Sequence, residues 1–222
     1  MRVYRTADRA VETPSPQSSP LREGEGWIQR TAQMDISAVL LAGGESRRMG
    51  KDKATVLFRG KPLWQIQLDL LRKLEPSEVF VSARTDPDWR PGDLRFVADI
   101  PPSRGPLSGL AASLVQLGST HLLALAIDMP FMTESYLRDL CHQIVACVGV
   151  VPKIDSRAEP LAAIYPREAE IDCRNALASG DFSLQTLVRR LLETGKLREI
   201  SVTGEERKLF LNVNELSDLP AL

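Results

Sequence analysis

Ile36-Ser37-Ala38-Val39-Leu40-Leu41-Ala42-Gly43-Gly44-Glu45-Ser46-Arg47-Arg48-Met49-Gly50-Lys51-Asp52-Lys53 is the stretch that decides the architecture. A short apolar run ending at paired glycines suits a buried parallel strand feeding a glycine-rich turn. Outward from it, strand and helix patterns alternate. Residues 62–74 read as a helix, with Leu63, Ile66, Leu70, Leu71 and Leu74 spaced by three and four and Pro62 at the first helical position. Residues 79–81 and 95–97 read as strands, 107–117 as a helix, and 122–127 as a nearly continuous apolar strand stopping at Asp128. Thr133 opens another helix with Glu134 in its first turn. The remainder gives strands at 148–151, 161–165 and 209–211 and helices at 167–178 and 184–192. Such alternation predicts an α/β fold, a single doubly wound, mostly parallel sheet flanked by helices, in one domain over 35–222.

Composition narrows the function. The 222 residues carry 28 basic and 29 acidic side chains, so the electrostatic footprint of a nucleic-acid binder is absent. The longest apolar run, 144–151, is far short of the roughly 18 residues that a membrane helix needs. Neither nucleic acid nor a membrane is therefore an expected partner. Cys141, Cys147 and Cys173 form no C-x-x-C pair, which argues against a disulfide framework or structural zinc and for the cytoplasm. His121 and His142 are too few for a histidine-rich metal cluster, leaving chemistry to carboxylates, lysine, arginine and backbone amides. Residues 1–34 show no hydrophobic periodicity and read as a disordered N-terminal extension. Arg2, Arg5, Asp8, Arg9 and Glu12 break every apolar window a signal peptide would need. Met34 directly precedes the first strand, so two readings stay open for this leader: a start assigned too far upstream, or a regulatory tail.

In an open parallel sheet, ligands bind beyond the carboxyl ends of the strands. After the first strand, Gly43, Gly44 and Gly50 let backbone amides approach a phosphate, while Arg48 and Lys53 supply charge for several negatives. The loop is not a Walker A motif: Gly44 and Gly50 are separated by five residues, and Asp52 follows Lys51 where Ser or Thr should stand. Asp128, at the end of the most apolar strand, is placed to hold Mg²⁺; a cap or turn before Pro130 is the commoner fate of an isolated Asp. Asp99 follows Phe96-Val97, where the plain alternative is a solvated turn beside Pro101 and Pro102.

The run from Leu41 to Lys53 resembles the signature of the molybdenum cofactor guanylyltransferases, within the MobA-like nucleotidyltransferases. The resemblance continues through Gly60-Lys61-Pro62-Leu63, Gly105-Pro106-Leu107-Ser108-Gly109-Leu110, Asp128-Met129-Pro130-Phe131, Glu159-Pro160-Leu161 and Asn212-Val213-Asn214, and so covers 36–219 in order. It implies a Rossmann-like nucleotidyltransferase fold that transfers GMP from GTP to molybdenum-bearing molybdopterin, with Mg²⁺ as cofactor and molybdoenzymes or their chaperones as further partners. By the same resemblance Arg48, Lys53 and Asp128 are catalytic, and Asp128 is the metal ligand. The nucleotide falls to Leu41, Ala42, Gly43, Gly44, Ser46, Lys53, Ser82, Asp99 and Asp128, and the pterin-bearing substrate to Asn212 and Asn214. Two positions depart from the pattern. Ser82 stands where relatives often have Asn, which predicts weaker guanine selectivity, and Ala162 stands where many have His. The rival readings are a transferase using CTP or a sugar or polyol phosphate acceptor, and a noncatalytic nucleotide-binding chaperone. Retention of Arg48, Lys53 and Asp128 favours an enzyme.

Overall fold

The computed structural model describes residues 35–43 and 52–213. The leader expected at 1–34, and the site residues Gly44, Ser46, Arg48 and Asn214, lie outside these described residues. The strand β1, Ile36–Leu41, is buried along its whole length. Ala38 and Leu40 pack into one core cluster and Val39 and Leu41 into another, so both faces are covered and the run needs no polar alternation. A tight hairpin follows, β2 (Leu57–Phe58) with β3 (Lys61–Pro62). Its two central residues, Arg59 and Gly60, have φ of 51° and 79°, the left-handed pair that matches hairpin twist. Helix α1, Leu63–Lys73, therefore starts one residue later than expected: Pro62 is extended, at ψ 149°, because it belongs to the hairpin.

Next come β4 (Val79–Ala83), β5 (Arg95–Ala98), helix α2 (Pro106–Val115) and β6 (His121–Ala126). Helix α3, Glu134–Cys141, is capped by Thr133, whose hydroxyl accepts from the Tyr136 amide. The second half adds β7 (Gly149–Ile154), β8 (Arg157–Ala158), β9 (Ala162–Pro166), α4 (Glu170–Ser179), α5 (Leu184–Glu193) and β10 (Leu197–Ser201). The sheet order is β10-β7-β9-β6-β1-β4-β5, with β8 paired to β7. Neighbours β6, β1, β4 and β5 run parallel, whereas β9 is antiparallel to both β6 and β7. Helices α1 and α3 supply one core cluster and α2, α4 and α5 the other, the two-faced covering expected of a doubly wound sheet.

Two expectations are corrected. Residues 209–211 are not a strand: a 3-10 turn, Glu206–Phe210, buries Leu209 and Phe210, and Phe210 meets the Tyr136 ring edge-on at 5.4 Å. The last strand is instead Leu197–Ser201, whose mostly exposed sheet-edge residues gave no apolar run to read. The helix expected at 167–178 is a 3-10 turn, Arg167–Ala169, followed by α4, which ends at Gly180 with φ 78°.

Candidate functional site

Parallel pairing in register brings the strand ends to one edge. Leu41 is paired with Ser82 on one side and Ala126 on the other, and Ser82 with Val97. Residues just past these positions, Gly43, Asp99 and Asp128, therefore lie along the carboxyl edge of the sheet. The Ala42 amide donates to the Ser82 carbonyl at 2.8 Å, so amides past the sheet's pairing begin at Gly43. A Cβ at Gly43 would lie 3.1 Å from Asp99 Oδ2, which makes this a close approach of backbone to carboxylate.

Asp99 is seated by hydroxyls. Ser82 Oγ donates to Oδ1 at 3.2 Å and Ser103 Oγ to Oδ2 at 2.7 Å. Beneath them Gly109, in α2, leaves no room for a side chain: a Cβ there would stand 2.8 Å from Ser82 Oγ and 3.0 Å from Asp99 Oδ1. Asp99 is 7% exposed and Ser82 only 1%, so of this pair Asp99 carries the accessible edge. It opens onto a cavity of about 320 Å³ lined also by Arg84, Pro101 and Ser103. Arg84, Ser103 and the packing role of Gly109 escaped the sequence reading. The Gly105-Pro106-Leu107-Ser108-Gly109 run was the available signal for Gly109; nothing local points to Ser103.

The other half of the edge is a charge pair. Lys53 Nζ lies 2.9 Å from Asp128 Oδ2, across 75 positions of sequence. Lys53 sits in a 3-10 turn, Lys53–Thr55, capped by the Asp52 side chain, which accepts from the Ala54 amide at 3.0 Å. The Asp128 carbonyl accepts from the Val213 amide at 2.9 Å, so the chain arrives beside Asp128 directly after the exposed Asn212. Just before β9, the Leu161 carbonyl accepts from the Ala126 amide, and the Glu159 amide donates to the Pro152 carbonyl. Burial raises the Glu159 carboxyl above its ordinary value, partly offset by Arg157. Ala162 is fully buried and paired with Leu125, so it presents no polar group to the site.

Asp128 offers one carboxylate, and among the described residues no cluster of three or more His, Cys, Asp or Glu side chains surrounds it. Such a site fits Mg²⁺, which takes one or two carboxylates and fills the rest with phosphate oxygens and water, and does not fit structural zinc.

Gly43, Lys53, Asp99 and Asp128 thus lie past the strand ends of a doubly wound sheet, the place where such folds take their ligands. Residues 38–197 match the model of the MobA-like NTP transferase domain, and the chain belongs to that family of nucleotidyltransferases. A protein of Opitutus terrae named "Probable molybdenum cofactor guanylyltransferase" is 34% identical over 186 residues, 82% of this chain and 92% of its own. The molybdenum cofactor guanylyltransferase of Xanthomonas euvesicatoria is 33% identical over 83% of this chain and 92% of its own. The crystal structure of molybdopterin-guanine dinucleotide biosynthesis protein A from Archaeoglobus fulgidus superimposes with a TM-score of 0.66 at 27% identity, covering 82% of this chain and 94% of that one.

Proposed function

We propose that this enzyme transfers GMP from GTP to molybdenum-bearing molybdopterin, releasing pyrophosphate and forming the guanine dinucleotide cofactor. The observation that carries the reading is the Lys53–Asp128 pair, 2.9 Å apart at the sheet's carboxyl edge, with Val213 bonded to the Asp128 carbonyl. Relatives named for this reaction supply the substrate class.

The reaction joins two anions, so positioning and neutralisation are what the protein must provide. The Asp99 carboxylate, held by Ser82 and Ser103, is a preset acceptor for N–H donors on a base or hydroxyls on a ribose. Gly43 lets the nucleotide approach the backbone, and the Lys53 ammonium balances charge on the α-phosphate and departing pyrophosphate. Asp128 would hold Mg²⁺, which when bound supplies further charge neutralisation at the phosphates. Asn212, exposed and next to the Val213 amide that bonds the Asp128 carbonyl, would orient the acceptor, whose terminal phosphate attacks the α-phosphorus; largely dianionic near neutral pH, it needs no strong general base. No helix among the described residues is long and apolar enough to cross a membrane. Incubating the protein with molybdopterin, Mg²⁺ and each of the four triphosphates tests the reading: pyrophosphate release with GTP is expected, and preferential release with CTP would replace it with a cytidylyltransferase.

A further inference from the structure

The segment between β4 and β5 reaches back to the turn that carries Lys53. Trp89 Nε1 donates to Asp52 Oδ2 at 2.8 Å. The other oxygen of the same carboxylate, Oδ1, accepts from the Ala54 amide at 3.0 Å, and the Asp52 carbonyl accepts from the Thr55 amide and hydroxyl at 3.0 and 2.8 Å. Asp52 thus has two duties: it caps the Lys53 turn and anchors it to a tryptophan 37 positions away.

The anchor itself is braced. The Trp89 ring stacks on Trp64, in the first turn of α1, with centroids 5.6 Å apart and planes 14° from parallel. Both rings pack against the core cluster under α1. The segment is tied within itself by Arg90, which makes two parallel bonds to Asp86 at 2.6 and 2.7 Å and another to the Pro91 carbonyl at 3.2 Å. A tryptophan fixed this firmly by stacking leaves its one polar atom at a set position, and that atom points at the cap of Lys53. A capping carboxylate alone already satisfies the turn, so the indole bond is not needed to form it. What it adds is a fixed relation between the Lys53 turn and the framework of the sheet.

We propose that Trp89 is a positioning residue for nucleotidyl transfer: through Asp52 it holds the Lys53 turn so that the ammonium meets the triphosphate. This rests on the phosphate-binding role given to Lys53 above. Lys53 is a long, flexible side chain, and fixing its turn reduces the conformational freedom lost when it engages phosphate.

The test is a cycle of triphosphate dissociation constants measured by calorimetry on the whole chain. The ligand is whichever of the four triphosphates the wild type binds most tightly, so a wrong base assignment changes the ligand and not the test. Trp89→Phe keeps the aromatic stack and removes the donor; it should weaken the triphosphate about five-fold and lower kcat similarly, with KM for the acceptor and Tm unchanged. On a Lys53→Ala background, where there is no ammonium to aim, Trp89→Phe should change the dissociation constant less than about 1.5-fold. Trp64→Phe, which keeps the donor, should retain most of the affinity. Wild-type affinity in Trp89→Phe, an undiminished loss on the Lys53→Ala background, or a loss that tracks a fall in Tm would each overturn the proposal. A wild type that binds no triphosphate would overturn the functional reading with it.

Discussion

The Ser82 hydroxyl donates to Asp99 Oδ1 at 3.2 Å, joining the ends of β4 and β5 at the carboxyl edge of the sheet. With Ser82 at 1% exposure, any influence of this position on the base runs through the orientation of Asp99. Ser82→Ala should weaken GTP about three- to ten-fold, the range for one modest hydrogen bond, with little change in Tm. Ser82→Asn must push its amide against Gly109 and should destabilise the fold by about 1–3 kcal/mol. Denaturant unfolding and competition between GTP and CTP read both effects. Enhanced GTP preference in Ser82→Asn at unchanged stability would mean that the side chain reaches the base after all.

Gly109→Ala probes the same seat from below. Its Cβ would stand 2.8 Å from Ser82 Oγ, and Ser82 lies in a fully packed strand that cannot yield cheaply. A loss of about 1–3 kcal/mol is expected despite the better helix propensity of alanine, together with weaker GTP binding. A variant as stable as the wild type would show that the seat adapts.

These relations mark the limit of what the sequence discloses. The apolar runs of β1, β4 and β6 are legible because strands covered on both faces need no alternation, and Asp128 stands out by ending the β6 run, whereas Asp99 follows the shorter β5, in which only Val97 is buried. Strand β10 is not legible, since Leu-Arg-Glu-Ile-Ser buries only its first residue well. Leu209 and Phe210 imitate a strand because a turn that buries two adjacent apolar residues has the same local composition as a short strand. Ser103, Gly109 and Trp89 matter through partners that only the fold brings near: a serine in a proline-rich loop, a glycine in a helix and a tryptophan between strands carry no local mark of those roles.

His121 is a source of pH-dependent stability because it is buried. It is 3% exposed, and its Nδ1 meets Thr120 Oγ1 at 3.0 Å. Desolvation lowers the imidazole pKa below its ordinary 6.5, against the opposing pull of the Val148 and Val145 backbone and of Glu168 and Asp35. Below pH 6.5 the unfolded chain binds a proton that the folded protein still refuses, so stability falls with pH from there until the depressed folded value is passed. Denaturant midpoints between about pH 7.5 and 5.5 should decline in the wild type and decline less in His121→Gln. Identical slopes would place the titrating group elsewhere.

On the proposed mechanism the Lys53–Asp128 pair serves catalysis more than folding. Both side chains are partly exposed, at 18% and 23%, so each can be neutralised without burying an orphan charge. Asp128→Asn should fold with a Tm near that of the wild type yet lose about a hundred-fold or more in turnover, because a neutral amide is a poor Mg²⁺ ligand. Its residual activity should need more Mg²⁺. Lys53→Ala should lose turnover to a similar extent, about a hundred-fold, and weaken GTP, since it removes a charge aimed where negative charge develops. Lys53→Arg should recover only part of the rate, because a planar fork does not reproduce a compact ammonium beside a phosphate. Pyrophosphate release at saturating GTP, measured across a Mg²⁺ titration, distinguishes the two roles. Full activity in Lys53→Ala would move the neutralising charge to another cation, with Arg48 the first candidate, and an unaltered Mg²⁺ dependence in Asp128→Asn would remove Asp128 from the metal.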